Sequence, residues 1–253
     1  MARAGSLLAP LAFAALVIAG WALLAAFGGI PDSSLPSPSA VAAALADERS
    51  LIAGAALVTL LEVVLGLALA IVAGAAFGLL VALSPAAGRA VGPWLVVSQM
   101  MPVPAIAPIV VLWAGFGVWP KVIVIALVSF FPVAVAAAAG LRQADPELLD
   151  LLKSLGAGRR RRLTIAQIPA ALPQFFSGLR VAAALAVIGA VFAEWAGSSD
   201  GLGYLVLTWG NQVRTAEVFA VIAVLSVIGV GLVGLVALAG RLLTPWRERP
   251  ARS

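Results

Sequence analysis

The stretch "ADPELLDLLKSLGAGRRRRLTIAQIPAALP" (residues 144–173) is a polar interruption in an oily chain. With Arg142 it holds six of the sixteen Lys and Arg residues, so most of the neighbouring sequence is left without positive charge. Asp145 is placed to cap a helix, Pro146 suits its first position, and Glu147 adds negative charge at its N-terminus. Leu148, Leu149, Leu151, Leu152 and Leu155 recur at helical spacing and form one apolar face. Gly156 supplies the stop. About ten residues is too short for a helix to be stable alone. The face therefore calls for a partner, and the four arginines that follow suit anionic headgroups or an acidic protein surface.

On either side the chain is apolar. Of its 253 residues, 63% are hydrophobic and 11% charged, against about 25% charged in soluble domains. Six apolar spans are predicted, at 7–27, 51–83, 94–118, 121–140, 174–196 and 217–240, each near or above the ~20 residues that cross the hydrocarbon. The first exceeds the ~7–15 residue core of a signal peptide and is expected to be an uncleaved helix. The second is too long for one perpendicular span and must tilt, bend or protrude. The fold class is all-α: a single polytopic integral membrane domain over 1–253 with about six transmembrane helices.

Charge orients it. With the N-terminus in the cytoplasm, the inner segments hold Arg3, Arg89, Arg142, Lys153, Arg159 to Arg162, Arg241, Arg247, Arg249 and Arg252, and the outer ones only Arg49, Lys121 and Arg214. That asymmetry puts both termini and the 144–173 loop inside. Residues 31–50, "PDSSLPSPSAVAAALADERS", fall outside, with an extended Pro/Ser entry and a short surface helix from Ser39 to Ala46.

Several function classes are excluded. The chain has no Cys and no His, which removes thiol nucleophiles, Cys/His metal sites and His-based triads; no metal site is expected. No G-x-x-x-x-G-K-[ST] loop is present, so the chain does not cradle ATP phosphates in that manner. "GVGLVG" (229–234) matches a dinucleotide fingerprint but lies in an apolar span without a preceding strand. Its glycines, like Gly74 and Gly78, are expected to permit close helix contact.

Asp150, Leu151 and Leu152, followed by Gly156 and then Pro169, resemble the cytoplasmic EAA loop of ABC importer permeases, with Asp for Glu and two leucines for two alanines. "VTLLEVVLGL", "PVPAIAPIVVLWAGFG", "SFFPVAVAAAAGLR", "LPQFFSGLR" and "AVFAEWAGSSDGLGYL" follow the order seen in the subfamily serving sulfonates, nitrate, taurine, pyrimidine thiamine precursors and riboflavin. The resemblance implies a type I importer permease and a coupling loop over 144–173. Its ATPase-coupling residues would be Leu148, Asp150, Leu151, Leu152, Leu155, Gly156, Ala157 and Pro169. It also implies a permease homodimer in the bacterial inner membrane, two ABC ATPase subunits that carry ATP and Mg, and an extracytoplasmic substrate-binding protein. Neither a nucleic-acid partner nor a cofactor in this chain is expected. The "EWAG…GLGYL" ending is most similar to the pyrimidine-precursor and riboflavin branch; a sulfonate, taurine or nitrate permease is the alternative. From another class, a stand-alone secondary transporter or channel would not need the coupling loop.

Glu62 and Glu194 lie inside apolar spans, where a carboxylate is costly and suggests function. With Gln99, Trp113 and Trp195 they are the expected substrate path, as acceptors and stacking surfaces for a planar ring. Helix–helix hydrogen bonding and membrane-interface anchoring are the competing roles. Pro102, Pro104 and Pro108 predict a bend in the third span, as a kink or as a break lining the pathway.

Overall fold

The computed structural model describes residues 5–248 except Gln99 and Met101. Gln99 therefore lies outside the described residues, as do Arg3, Arg249 and Arg252. The described chain is helical: α1 (Gly5–Phe27), α2 (Pro38–Asp47), α3 (Arg49–Leu83), α4 (Pro85–Ser98), α5 (Val103–Ala114), α6 (Val118–Leu141), α7 (Pro146–Ser154), α8 (Arg159–Arg162), α9 (Ile168–Gly197), α10 (Leu202–Asn211) and α11 (Thr215–Leu243). A π-turn, Leu163–Gln167, joins α8 to α9.

Four helical stretches are long and apolar enough to cross a membrane: Arg49–Leu83, Val118–Leu141, Arg159–Gly197 and Thr215–Leu243, with shorter apolar helices at Ala12–Phe27 and Val103–Ala114. The predicted third span, 94–118, is corrected to a broken one. α4 stops at Ser98 and α5 begins at Val103 after Pro102. Pro102 cannot donate an N–H and disfavours helix in the residue before it. Gly115 and Gly117 then take positive φ and end α5, so its 12 residues reach only ~18 Å.

The expected single domain groups into two compact units, residues 1–58 with 200–226, and 59–199 with 227–253. In the first, Ser37 caps α2 by accepting from the Ala40 amide, so a helix forms over the predicted 39–46 stretch. Trp21 Nε1 donates to the Pro36 carbonyl at 3.0 Å. Arg214 bridges Glu48 at 2.6 Å and Glu217 at 2.9 Å and lies 5.0 Å over the Trp209 ring. Donation to the Glu48 carboxylate, then to that of Glu217, raises its pKa above the usual guanidinium range. On the guanidinium side the clamp's contribution is present below the usual arginine range and is lost as pH climbs through the raised value, and it requires both carboxylates to be ionised.

In the second unit α5 and α9 pack on α6. Ala107, Val110, Val124 and Ala193 form a buried cluster there. α3 meets α6 where small residues let backbones approach: a Cβ on Gly78 would stand 2.5 Å from the Ala137 Cβ. Gly74 and Gly78 thus make the predicted close contact, whereas Gly231 and Gly234 face open space.

Candidate functional sites: an exposed loop helix and a buried polar cluster

α7 forms as its sequence predicts. Asp145 Oδ1 accepts from the Glu147 amide at 2.9 Å, with Pro146 opening the helix. At the far end the Gly156 amide donates to the Lys153 carbonyl at 3.0 Å and the Ala157 amide to the Leu152 carbonyl at 2.9 Å. Gly156 sits at φ +77°. This is a Schellman ending, with Gly156 in the left-handed position that disfavours a Cβ. Ala157 thereby acquires a local role as donor of the outer bond.

The helix buries none of its residues. Leu148, Leu151 and Leu155 are exposed, Leu155 to 75%, while Leu149 and Leu152 are half-buried. Asp150 is exposed. Of the five-leucine face, then, three side chains project outward and two lean on the protein. Pro169 stands just past the π-turn, where the Ile168 amide reaches back to the Leu163 carbonyl. A proline lacks its own i−4 donor and crowds that carbonyl, and a widened turn accommodates this.

Part of the basic flank is engaged. Arg142 Nη2 donates to the Val81 carbonyl at 3.3 Å, and Arg159 Nη2 donates to the Leu83 carbonyl. Both bind the C-terminal turn of α3, where unpaired carbonyls favour cations. The sequence marked these arginines only as a basic run; their helix-capping role depends on where α3 ends.

The second site is a buried polar cluster. Glu62 of α3 is 0% exposed and Glu194 of α9 is 1% exposed. Lys121, in the first turns of α6 and 6% exposed, makes an ion pair with Glu62 and donates to Ser198 Oγ at 3.0 Å. Thr59 Oγ1, one turn before Glu62, donates to Glu194 Oε1 at 2.7 Å. Glu62 and Glu194 were expected to face the path; in the subunit both are enclosed. Lys121, placed by the charge pattern in an outer segment, is in addition a buried partner of Glu62. A signal existed in the sequence. Glu62 and Lys121 each lie about twenty residues, or ~30 Å along a helix, from the ends of α3 and α6 at Leu83 and Leu141, so opposite charges share one depth. Pairing offsets the desolvation that makes a lone buried charge so unfavourable.

Trp195 keeps an exposed face and meets the Phe192 ring edge-on, centroids 5.3 Å apart. Trp113, at the end of α5, is 82% exposed. A Cβ on Gly197 would lie 3.3 Å from Phe116 Cε1, so the C-terminal ends of α5 and α9 converge and gather exposed aromatics.

Residues 66–248 match the family model described as binding-protein-dependent transport system inner membrane component. A probable ABC transporter permease of Haemophilus influenzae is 40% identical over 85% of this chain and 88% of its own. The formylaminopyrimidine transport permease ThiX of Halalkalibacterium halodurans is 37% identical over 98% of this chain and 100% of its own. A putative aliphatic sulfonates transport permease, SsuC of Bacillus subtilis, is 30% identical over 92% and 85%. Among solved structures, a chain of the inward-facing MetNI methionine ABC transporter superposes with TM-score 0.67 at 16% identity, over 80% of this chain and 99% of that one. An all-helical chain with several membrane-crossing helices, matched along most of its length by such relatives, belongs to the binding-protein-dependent family of ABC transporter permeases.

Proposed function

We propose that this chain is the translocation subunit of an ATP-driven importer, working as a homodimer with two ATPase subunits and an extracytoplasmic binding protein. α7 is the coupling helix. The observation that carries this is an outward-facing leucine stripe on a helix capped at both ends by its own residues. Such a face is preformed but is left exposed among the described residues, which suits insertion into a groove on another protein. ATP and Mg act on the ATPase. When the two ATPases close, the α7 helices of the dimer are drawn together, and the helices that follow carry the movement into the membrane as a rigid-body change. The loop and both termini lie in the cytoplasm, as the concentration of Lys and Arg favours.

The solute we propose is a small heteroaromatic compound, a pyrimidine thiamine precursor or riboflavin. Full-length similarity to a formylaminopyrimidine permease supports this class, as do the exposed Trp113 and Trp195, whose rings offer stacking faces. The buried carboxylates do not discriminate against anions in the manner of open acceptors, because Lys121 offsets Glu62. They act from behind the path, fixing α3, α6 and α9. Sulfonates remain the second reading, favoured by the SsuC similarity. Uptake of pyrimidine, flavin and sulfonate solutes into vesicles holding the complete complex tests this. Transport of a heterocycle supports the reading; transport of sulfonate alone overturns the solute class.

A further inference from the structure

A cavity of about 230 Å³ opens between the first half of α9 and the end of α11, lined by Pro173, Phe176, Arg180, Gly240, Arg241 and Thr244. Two arginines, Arg180 and Arg241, line one small space. Arg180 is half-buried and makes two long bonds, Nε to the Phe176 carbonyl at 3.4 Å and Nη2 to Ser177 Oγ at 3.3 Å. A guanidinium offers five N–H donors, so most of its capacity is left. Among the described side chains, neither Arg180 nor Arg241 pairs with a carboxylate. Thr244 Oγ1 donates to the Gly240 carbonyl at the helix end. Like charges around a confined space repel, and an anion between them relieves that. The flank of the cavity is apolar: Leu242, Leu243 and Trp246 are exposed, and tryptophan is enriched at the membrane interface.

We propose that this cavity is a phosphate-recognition site filled by the headgroup of an anionic phospholipid, with the acyl chains along Leu242 and Leu243. Arg180 and Arg241 hold the phosphate oxygens as charge-assisted donors, and Trp246 stands at the headgroup level. A lipid held there spans α9 and α11, two helices that an alternating-access change would move. The inference rests on the cytoplasmic placement of α7 proposed above, since that puts the cavity in the leaflet where basic pockets meet anionic lipid.

The test uses the delipidated full-length permease, titrated with phosphatidylglycerol, phosphatidylcholine or inorganic phosphate while native mass spectra and the thermal midpoint are followed. Phosphatidylglycerol is expected to bind and raise the midpoint, and phosphatidylcholine to do so weakly. R180Q/R241Q should weaken phosphatidylglycerol binding about tenfold or more, whereas R89Q/K153Q, which removes equal charge from exposed positions outside the cavity lining, should change it by less than about threefold. Should R180Q/R241Q fail to fold, R241Q alone alters an exposed side chain and is expected to lose about threefold or more. Equal losses in the two double variants would show a net-charge effect and overturn the site. A midpoint shift by inorganic phosphate alone, abolished by R180Q/R241Q, would keep the phosphate recognition and overturn the lipid as its source. The chain has no native cysteine, so labelling of Ser154→Cys reports the orientation separately. Labelling from the outer side overturns the topology reading without touching the cavity measurement.

Discussion

In the buried cluster Glu62 is paired with Lys121 inside the subunit, whereas α7 turns Leu148, Leu151 and Leu155 away from it. Both are places where the chain departs from a plain apolar span. In the cluster, polar groups sit in an apolar interior and must find each other, because no water is there to receive them. In α7, apolar groups sit on a polar loop. Their backbone needs are met locally by Asp145 and by the Schellman bonds, but their side chains are not covered. The contrast separates what holds the subunit together from what lets it work on something else.

The comparison is broken most directly at Lys121. Lys121→Met leaves the Glu62 carboxylate without its cation and should cost about 3–5 kcal/mol, read as a fall in the thermal midpoint in detergent. Glu62→Met/Lys121→Met should recover most of that loss. If the double variant is no better than the single one, the pair is not what stabilises this region.

Next in size is the outward face. Leu148→Asp/Leu151→Asp places charge where the ATPase groove would bury it, each position worth ~2 kcal/mol or more. Co-purification of the ATPase should be lost while the midpoint of the permease hardly moves, because neither leucine is buried in the subunit. Full retention of the complex would remove α7 from the coupling role.

A smaller effect sharpens the same contrast within the loop. Gly156→Val forces a β-branched residue to φ +77° and should cost ~1–2 kcal/mol, lowering the solute carried per ATP. Gly158 has φ −63°, so Gly158→Val should be mild. Matching effects at the two glycines would show that the helix ending is not the sensitive element.

The smallest effect expected is at Arg159→Gln, which loses the bond to the Leu83 carbonyl and should cost ~0.5–1 kcal/mol. Arg160→Gln, on a residue without that bond, should cost less in the same thermal scan. An equal cost at Arg160 would mean that bulk charge, not the cap on α3, is being measured.

The α7 helix was legible because its determinants are local. An N-cap, a proline, a leucine repeat and a terminal glycine act within one or two turns, and the chain carries them in order from Asp145 to Gly156. The long apolar spans are legible for a similar reason, since composition over about twenty residues decides them. The break in the third span was half legible. The prolines announced a bend, but only the helix ends at Ser98 and Val103 show that it separates two helices.

The partner of Glu62 was not available in the same way. Lys121 belongs to a different helix, and its assignment to an outer segment followed from position along the chain. What joins the two is the packing of α3 on α6, in which a Cβ on Gly66 would stand 2.5 Å from Ile125 and the backbones are close enough for the side chains to meet. The sequence by itself determined the helices, their caps and the apolar stretches, because these depend on neighbours within a few residues. The tertiary structure decided which leucines stay uncovered and turned the shared depth of Glu62 and Lys121 into a pair, because each depends on a second helix brought alongside by contacts far away in the chain.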